Sequence, residues 1–191
     1  MRLWLVAVFC SLVGLAQADT LSGHVVAVHD GKGAGESKPV PKKIVWFLPD
    51  PKLTPGATNQ EISESKYRQL CKQKGWTRLY RPPSSFTNNL KQLQMRKYGY
   101  SDLDPRDYEE DHLIPLCLAG ASQDPHNLWP QPRSGEWNAA DKDKLEAKLC
   151  SLVCRGKVPL ANAQRDIARN WIEAYQKYVR GKEQRDLERM N

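Results

Sequence analysis

The segment 108-YEEDHLIPLCLAGASQDPHNLWPQP-132 restricts the possible folds more than any other part of the chain. Glu109, Glu110 and Asp111 run into His112 beside the β-prone Leu113 and Ile114. About fifteen residues later Asn127-Leu128-Trp129 follows a second histidine, His126. A solvated acidic turn before an edge strand is one reading, and a metal site is the other. Downstream, Leu145, Leu149, Leu152 and Val153 recur at i, i+4, i+7 and i+8. That period predicts a helix from about Ala139 to Cys154 with this face buried. The expected order is therefore strand, loop, strand, helix, in an α+β chain.

The first residues stand apart from any such core. Arg2 precedes an apolar run to Leu15, which ends in Ala16-Gln17-Ala18. This pattern reads as a secretory signal, residues 1–18, cleaved after Ala18. A membrane anchor competes with that reading, but the run is shorter than the ~20 apolar residues a bilayer requires. No other segment is apolar enough to span. The expectation is a periplasmic or secreted protein without stable membrane association.

Removing the leader takes Arg2 and Cys10, so the formal charge falls from +7 to +6 and five cysteines become four. Four cysteines in an exported chain form two disulfides in one of three connectivities. Zinc is the alternative for Cys71, Cys117, Cys150 and Cys154, although the sequence contains no C-x-x-C pair. The excess of lysine and arginine favours an anionic partner such as nucleic acid.

Length predicts one domain. Residues 22–29 alternate as a half-buried strand and 43–48 form a second strand candidate, so 19–50 read as an N-terminal β extension. Pro49 to Pro55 is a connector. Thr58-Asn59-Gln60-Glu61 has the form of a capping box and predicts a helix to about Lys74, stopped by Gly75. Residues 76–85 read as an extended Pro-rich link. A second helix follows Ser85-Phe86-Thr87, carries Leu90, Leu93, Gln94 and Tyr98, and ends at Gly99. Pro159 opens a longer helix bearing Leu160, Ala163, Ile167, Trp171, Ile172, Tyr175 and Val179, ended by Gly181. A charged tail, 182–191, completes the chain.

The Asp111-His112 pair, the Ile114-Pro115 that follows, the Gly-bearing loop, Asn127-Leu128 and the helix resemble the ββα-metal core of HNH endonucleases. More widely, Thr54-Pro55-Gly56, Arg81-Pro82-Pro83, YEEDHLIPL, NLWPQP, Lys142-Asp143 with Leu145-Glu146, and Ala163-Gln164 before Trp171 resemble one exported bacterial branch of that family. The resemblance covers about 52–180 and implies a nuclease domain over 51–181.

The resemblance implies a metal-dependent hydrolysis of phosphodiester bonds in nucleic acid, DNA ahead of RNA, with low sequence specificity. His112 would be the general base, since imidazole is substantially neutral near pH 7 and still accepts a proton. Asp111 would hold the metal. Asn127 would either orient the loop or ligate through its carbonyl oxygen. Many HNH enzymes carry a histidine on the helix; here Asp143 or Asp141 must serve, with Asp143 favoured. Oxygen ligands with open positions suit Mg²⁺ or Mn²⁺. Ala119-Gly120 stands where the branch has paired glycines, and alanine is tolerable there unless φ is positive.

Arg78, Arg81, Arg133 and Lys142 are the expected phosphate contacts, with Lys91, Arg96, Lys97 and Lys144 as further candidates. Trp129 and Trp137 read as packing residues, and His126 as a solvated neighbour. Cysteines placed like Cys71 and Cys154 look like part of the family pattern, which implies that these two pair. Cys117 and Cys150 fall where relatives carry other residues, so they are expected to pair with each other. A Cys150–Cys154 bridge is the local alternative. The alternative function is an exported nucleic-acid-binding or envelope interaction protein without catalysis.

Overall fold

The computed structural model describes residues 47–181. The leader, the strand at 22–29 and the tail at 182–191 lie outside the described residues, as does all of the 43–48 strand candidate except Phe47 and Leu48. Among the described residues, five α-helices and one two-stranded sheet follow in the order α1 (Glu64–Leu70), α2 (Ser84–Lys97), β1 (Tyr108–His112), β2 (Leu128–Pro132), α3 (Ala139–Cys154), α4 (Leu160–Arg169) and α5 (Trp171–Tyr175).

The sheet is an antiparallel pair with Tyr108 opposite Pro132 and His112 opposite Leu128. Leu113 N donates to Asn127 O and Arg133 N to Asp107 O. In an antiparallel ladder the pairs alternate, so Tyr108, Glu110 and His112 aim their backbone groups away from β2. Residues 128, 130 and 132 likewise face outward from β2, so Pro130 and Pro132 remove no ladder hydrogen bond. Side chains close that outer edge: Thr54 Oγ1 and Gln94 Nε2 donate to Leu128 O at 3.1 and 2.8 Å, and the Tyr100 hydroxyl donates to Pro130 O at 2.8 Å. A third strand has no place to add.

The core joins Tyr67, Trp76, Met95 and Tyr98 to Leu113, Leu118 and Trp129, and continues through Leu145, Leu149, Ala163, Ile167 and Trp171. Trp129 is fully buried, and Trp137 packs edge-on against Trp171 and Tyr175. Both tryptophans are packing residues. Disulfides join Cys71 to Cys154 and Cys117 to Cys150. The first ties the residue after α1 to the end of α3, and the second ties the segment after His112 to α3 one turn before that end.

Several local expectations are corrected. Thr58 starts no helix: it bridges Gly120, while Asn59 N donates to Ala119 O. Ser63 is the cap that works, accepting from Lys66 N, so α1 begins at Glu64 and ends at Leu70. The 76–85 link is not wholly extended, because Trp76–Leu79 forms a 3-10 turn. On α2, Leu93 is exposed and the buried face carries Gln94 and Met95. The helix predicted after Pro159 is broken at Asn170, whose extended backbone ends α4 and whose side chain accepts from Ile172 N and Glu173 N to start α5.

Candidate functional site

A cleft of about 290 Å³ lies beside β1. Glu109, Glu110, Asp111 and His112 border the cleft from β1. Thr77, Arg81, Ser84 and Thr87 border it from the α1–α2 side, Cys117 from the loop, and Asp143 and Glu146 from α3.

His112 Nε2 lies 2.9 Å from the Ser122 carbonyl oxygen. A carbonyl only accepts, so Nε2 carries the proton and Nδ1 is the nitrogen able to take one. Burial lowers the His112 pKa, against the Ser122 contact and Asp111, which raise it. The ring is therefore neutral near pH 7. The Ser122 hydroxyl in turn bonds the Tyr80 carbonyl oxygen, which links the ring to the segment ahead of α2.

Asn127 is fully buried. Its Oδ1 accepts from Ile114 N at 2.9 Å and Ala57 N at 3.3 Å, and its Nδ2 donates to Ile114 O and Ala121 O at 3.0 Å each. An amide saturated in this way has no lone pair directed at the cleft. These hydrogen bonds match the loop-orienting role expected for Asn127, and they occupy the Oδ1 that the metal-ligand reading needs. Gly120 packs against the same amide: a Cβ there would sit 1.7 Å from Ile114 O, so only glycine fits. Ala119, by contrast, has φ 56° and ψ 36°. It occupies the left-handed region that its missing glycine would have suited.

Lys142 is the main departure from expectation. Expected as a surface phosphate contact, it has a side chain only 1% exposed. Its Nζ donates to Asp111 Oδ2 at 2.6 Å, to the His112 carbonyl oxygen at 2.7 Å and to Glu146. Burial alone would lower its pKa, but the two carboxylates outweigh that and raise it above the ordinary lysine value. It is an internal cation that holds the end of β1 against α3. Glu146, part of the resemblance but given no role by it, belongs to the same cluster. Burial raises its pKa; Lys142 opposes that and Asp111 adds to it.

Asp143 is exposed on the rim of the cleft, and its pKa is raised by partial burial and then by Asp111. Asp141 instead pairs with Lys144 at 2.9 Å. Glu109 pairs with Arg133 at 2.9 Å, and burial and Asp111 raise its pKa. Glu110, in the acidic run that could have been a solvated turn, is not solvated. Its two carboxylate oxygens are instead buried without a hydrogen-bond partner, and burial pushes its pKa up to about 8.

These donors offer a hard divalent cation the right chemistry. Asp111, Asp143 and Glu146 present carboxylate oxygens to one cleft, and they carry more negative charge than one ammonium neutralises. Their spacing is looser than their chemistry: among the described residues no three His, Cys, Asp or Glu side chains are gathered closely enough to hold an ion.

Arg81 is exposed at the cleft, close enough to His112 to lower its pKa. Arg78 is exposed on the adjoining 3-10 turn. Lys91 is taken up by the carbonyl oxygens of Pro105 and Tyr108 at 2.7 and 3.0 Å, which removes it from the expected contacts. His126 is exposed and bonded to Asp124. The chain matches no protein-family model, no curated protein and no solved structure. Among the described residues no helix is long and apolar enough to cross a membrane.

Proposed function

We propose that the chain is an exported, metal-dependent endonuclease of the ββα-metal type. In this reading it hydrolyses phosphodiester bonds of nucleic acid, DNA ahead of RNA, with little sequence preference. The observation that carries the proposal is His112, partly buried at the end of β1 beside Asp111 and held as the Nε2–H tautomer by the Ser122 carbonyl oxygen. A neutral imidazole facing a phosphate-sized cleft is equipped to deprotonate water.

In this mechanism His112 Nδ1 takes a proton from a water that attacks phosphorus, and the bond to the leaving oxygen breaks. Arg81, exposed at the cleft, offsets charge that builds on the phosphate oxygens. Lys142 fixes the direction of Asp111 and holds the His112 backbone. Asp111, with Glu146 or Asp143, would hold Mg²⁺ or Mn²⁺. A bound divalent cation there would supply Lewis-acid stabilisation of the phosphate and the leaving oxygen. Two disulfides suit an oxidising compartment, in keeping with a periplasmic or secreted protein.

A second reading has its own support, since the Lys142 ammonium already engages Asp111. It makes the chain an exported nucleic-acid-binding protein without catalysis. Relaxation of supercoiled plasmid, with EDTA and a series of divalent metals, separates the two. Cleavage that needs metal and is lost in His112→Ala supports the nuclease. Salt-sensitive binding of plasmid without cleavage under every metal overturns it.

A further inference from the structure

Leu79 is the most exposed large hydrophobic side chain among the described residues, at 82%, ahead of Leu93 and Leu103. Its position is fixed by its mounting. It ends the 3-10 turn Trp76–Leu79, whose Trp76 is buried. Trp76 packs edge-on against Tyr67 at 6.2 Å and against Tyr80 at 5.7 Å. An aromatic base of this kind lets the turn hold an exposed side chain in one place.

The mounting overlooks the cleft. Thr77 and Arg81, on either side of Leu79 in sequence, border the cleft. The Tyr80 carbonyl oxygen receives the Ser122 hydroxyl, and the Ser122 carbonyl receives His112 Nε2. Two hydrogen bonds and one residue thus separate Leu79's neighbour from the imidazole.

The surroundings carry one sign of charge. From Ser65 to Ser101 the sequence contains nine lysines and arginines and no aspartate or glutamate. Arg78 and Arg81, which flank Leu79, are both exposed. The acids that line the cleft come from β1 and α3, and facing them from the α1–α2 side is one cation, Arg81, with Arg78 exposed on the adjoining turn. A polyanion reaching His112 meets Arg81, two residues from Leu79 on the same segment.

We propose that Leu79 is an apolar wedge that enters a base step of duplex DNA, with Arg78 and Arg81 on the flanking phosphates. This rests on the reading of nucleic acid as the substrate. Leucine is among the side chains that unstack a base step in this way, and cations beside it compensate the phosphates that the opened step brings closer. The wedge opens the step and presents its phosphate to the cleft. Its choice of site follows the ease of unstacking a step, not the identity of the bases.

The test uses the purified disulfide-bonded protein in EDTA, so that binding is read without cleavage. The probe is a short DNA duplex with 2-aminopurine at several steps, whose fluorescence rises when a step unstacks. Wild type should raise the signal. Leu79→Ala should lose most of the rise and bind about tenfold more weakly, as expected for one leucine removed from an apolar contact. Leu103→Ala, another exposed leucine, should match wild type. Equal affinity and equal fluorescence in Leu79→Ala and wild type would overturn the wedge. A Leu79 dependence seen chiefly with single strands or duplex RNA would overturn the choice of duplex DNA. Leu79-dependent unstacking in a protein that cleaves no plasmid under any metal would leave the wedge standing and remove the nuclease.

Discussion

Replacing Lys142 with methionine separates two roles that differ in sign for both stability and salt dependence. The side chain is 1% exposed, and its ammonium meets Asp111 at 2.6 Å, the His112 carbonyl oxygen at 2.7 Å and Glu146. Methionine keeps most of the volume and removes the charge. Asp111 and Glu146, each 18% exposed in the side chain, are then left without their cation. Stranding partly buried carboxylates in this way costs about 3–5 kcal/mol. At roughly 3 °C per kcal/mol for a domain of this size, the melting midpoint should fall by about 10 °C. Lys142→Met with Glu146→Gln should recover part of that loss, because one stranded charge is removed with the lysine. The slope of log affinity for DNA against log salt should stay as in wild type, since the ammonium touches no phosphate. Calorimetry and fluorescence titration across a salt series provide both readouts. A phosphate-contacting Lys142 would give the reverse: an unchanged midpoint and a slope smaller by about 0.9. That pair of results would refute the reasoning.

Removing the His112 imidazole with His112→Ala should slow plasmid cleavage by about 10²–10⁴ and leave DNA affinity in EDTA unchanged. The active form is neutral and burial lowers its pKa from 6.5, so wild-type activity should persist below that value and fall as pH drops through the lowered pKa; a midpoint above 6.5 would count against this assignment. Glu110 has a pKa raised from 4.5 to about 8. Its ionised form is favoured in the unfolded chain, so wild type should lose stability relative to Glu110→Gln as pH rises from 4.5 to 8, with a ceiling of roughly 5 kcal/mol; urea unfolding that shows a flat difference across this range would refute it. Ala119→Gly should stabilise the protein by up to about 1 kcal/mol, because φ 56° is strained for alanine and free for glycine; a lower unfolding midpoint would show that the loop relieves the strain elsewhere.

Helix α3 was legible from its apolar spacing because one face packs along its whole length. The hairpin was legible as two β-prone runs around a Gly-bearing loop. Lys142 was misread because charge was given more weight than position. It sits at i−3 and i−7 from the buried Leu145 and Leu149, a spacing that already placed it on the core face. Glu146, four residues on, is the partner that spacing predicts for a lysine. At Thr58 a sound local signal lost to a long-range one, since Asn59 N is spent on Ala119 O and Ala57 O on Ala121 N, which commits the chain on both sides of Thr58 to the bridge with Gly120. The break at Asn170 carried its own signal, an asparagine three residues before Glu173, hidden by an apolar period that runs on through it. Ser122 offered none, because it acts on His112 through its backbone carbonyl, which every residue has.

That last contact ties the loop to the chemistry. Asn127 Nδ2 donates to Ala121 O, the carbonyl immediately before Ser122. The Ser122 carbonyl then fixes His112 Nε2. The same amide spans Ile114 N and O, two residues beyond His112. One buried side chain therefore sets both ends of the loop that orients the imidazole, while Lys142 fixes the strand end beneath it from α3. Gly120 is required because any Cβ would occupy the space through which Asn127 reaches Ile114. The Cys117–Cys150 bridge holds the same loop to the helix that carries Lys142 and Glu146. The direction of the imidazole is thus fixed by backbone carbonyls and one buried amide. A sequence motif records Asp111, His112 and Asn127 as neighbours in a pattern, but in the proposed mechanism it is the loop between them that equips the histidine to act as a base.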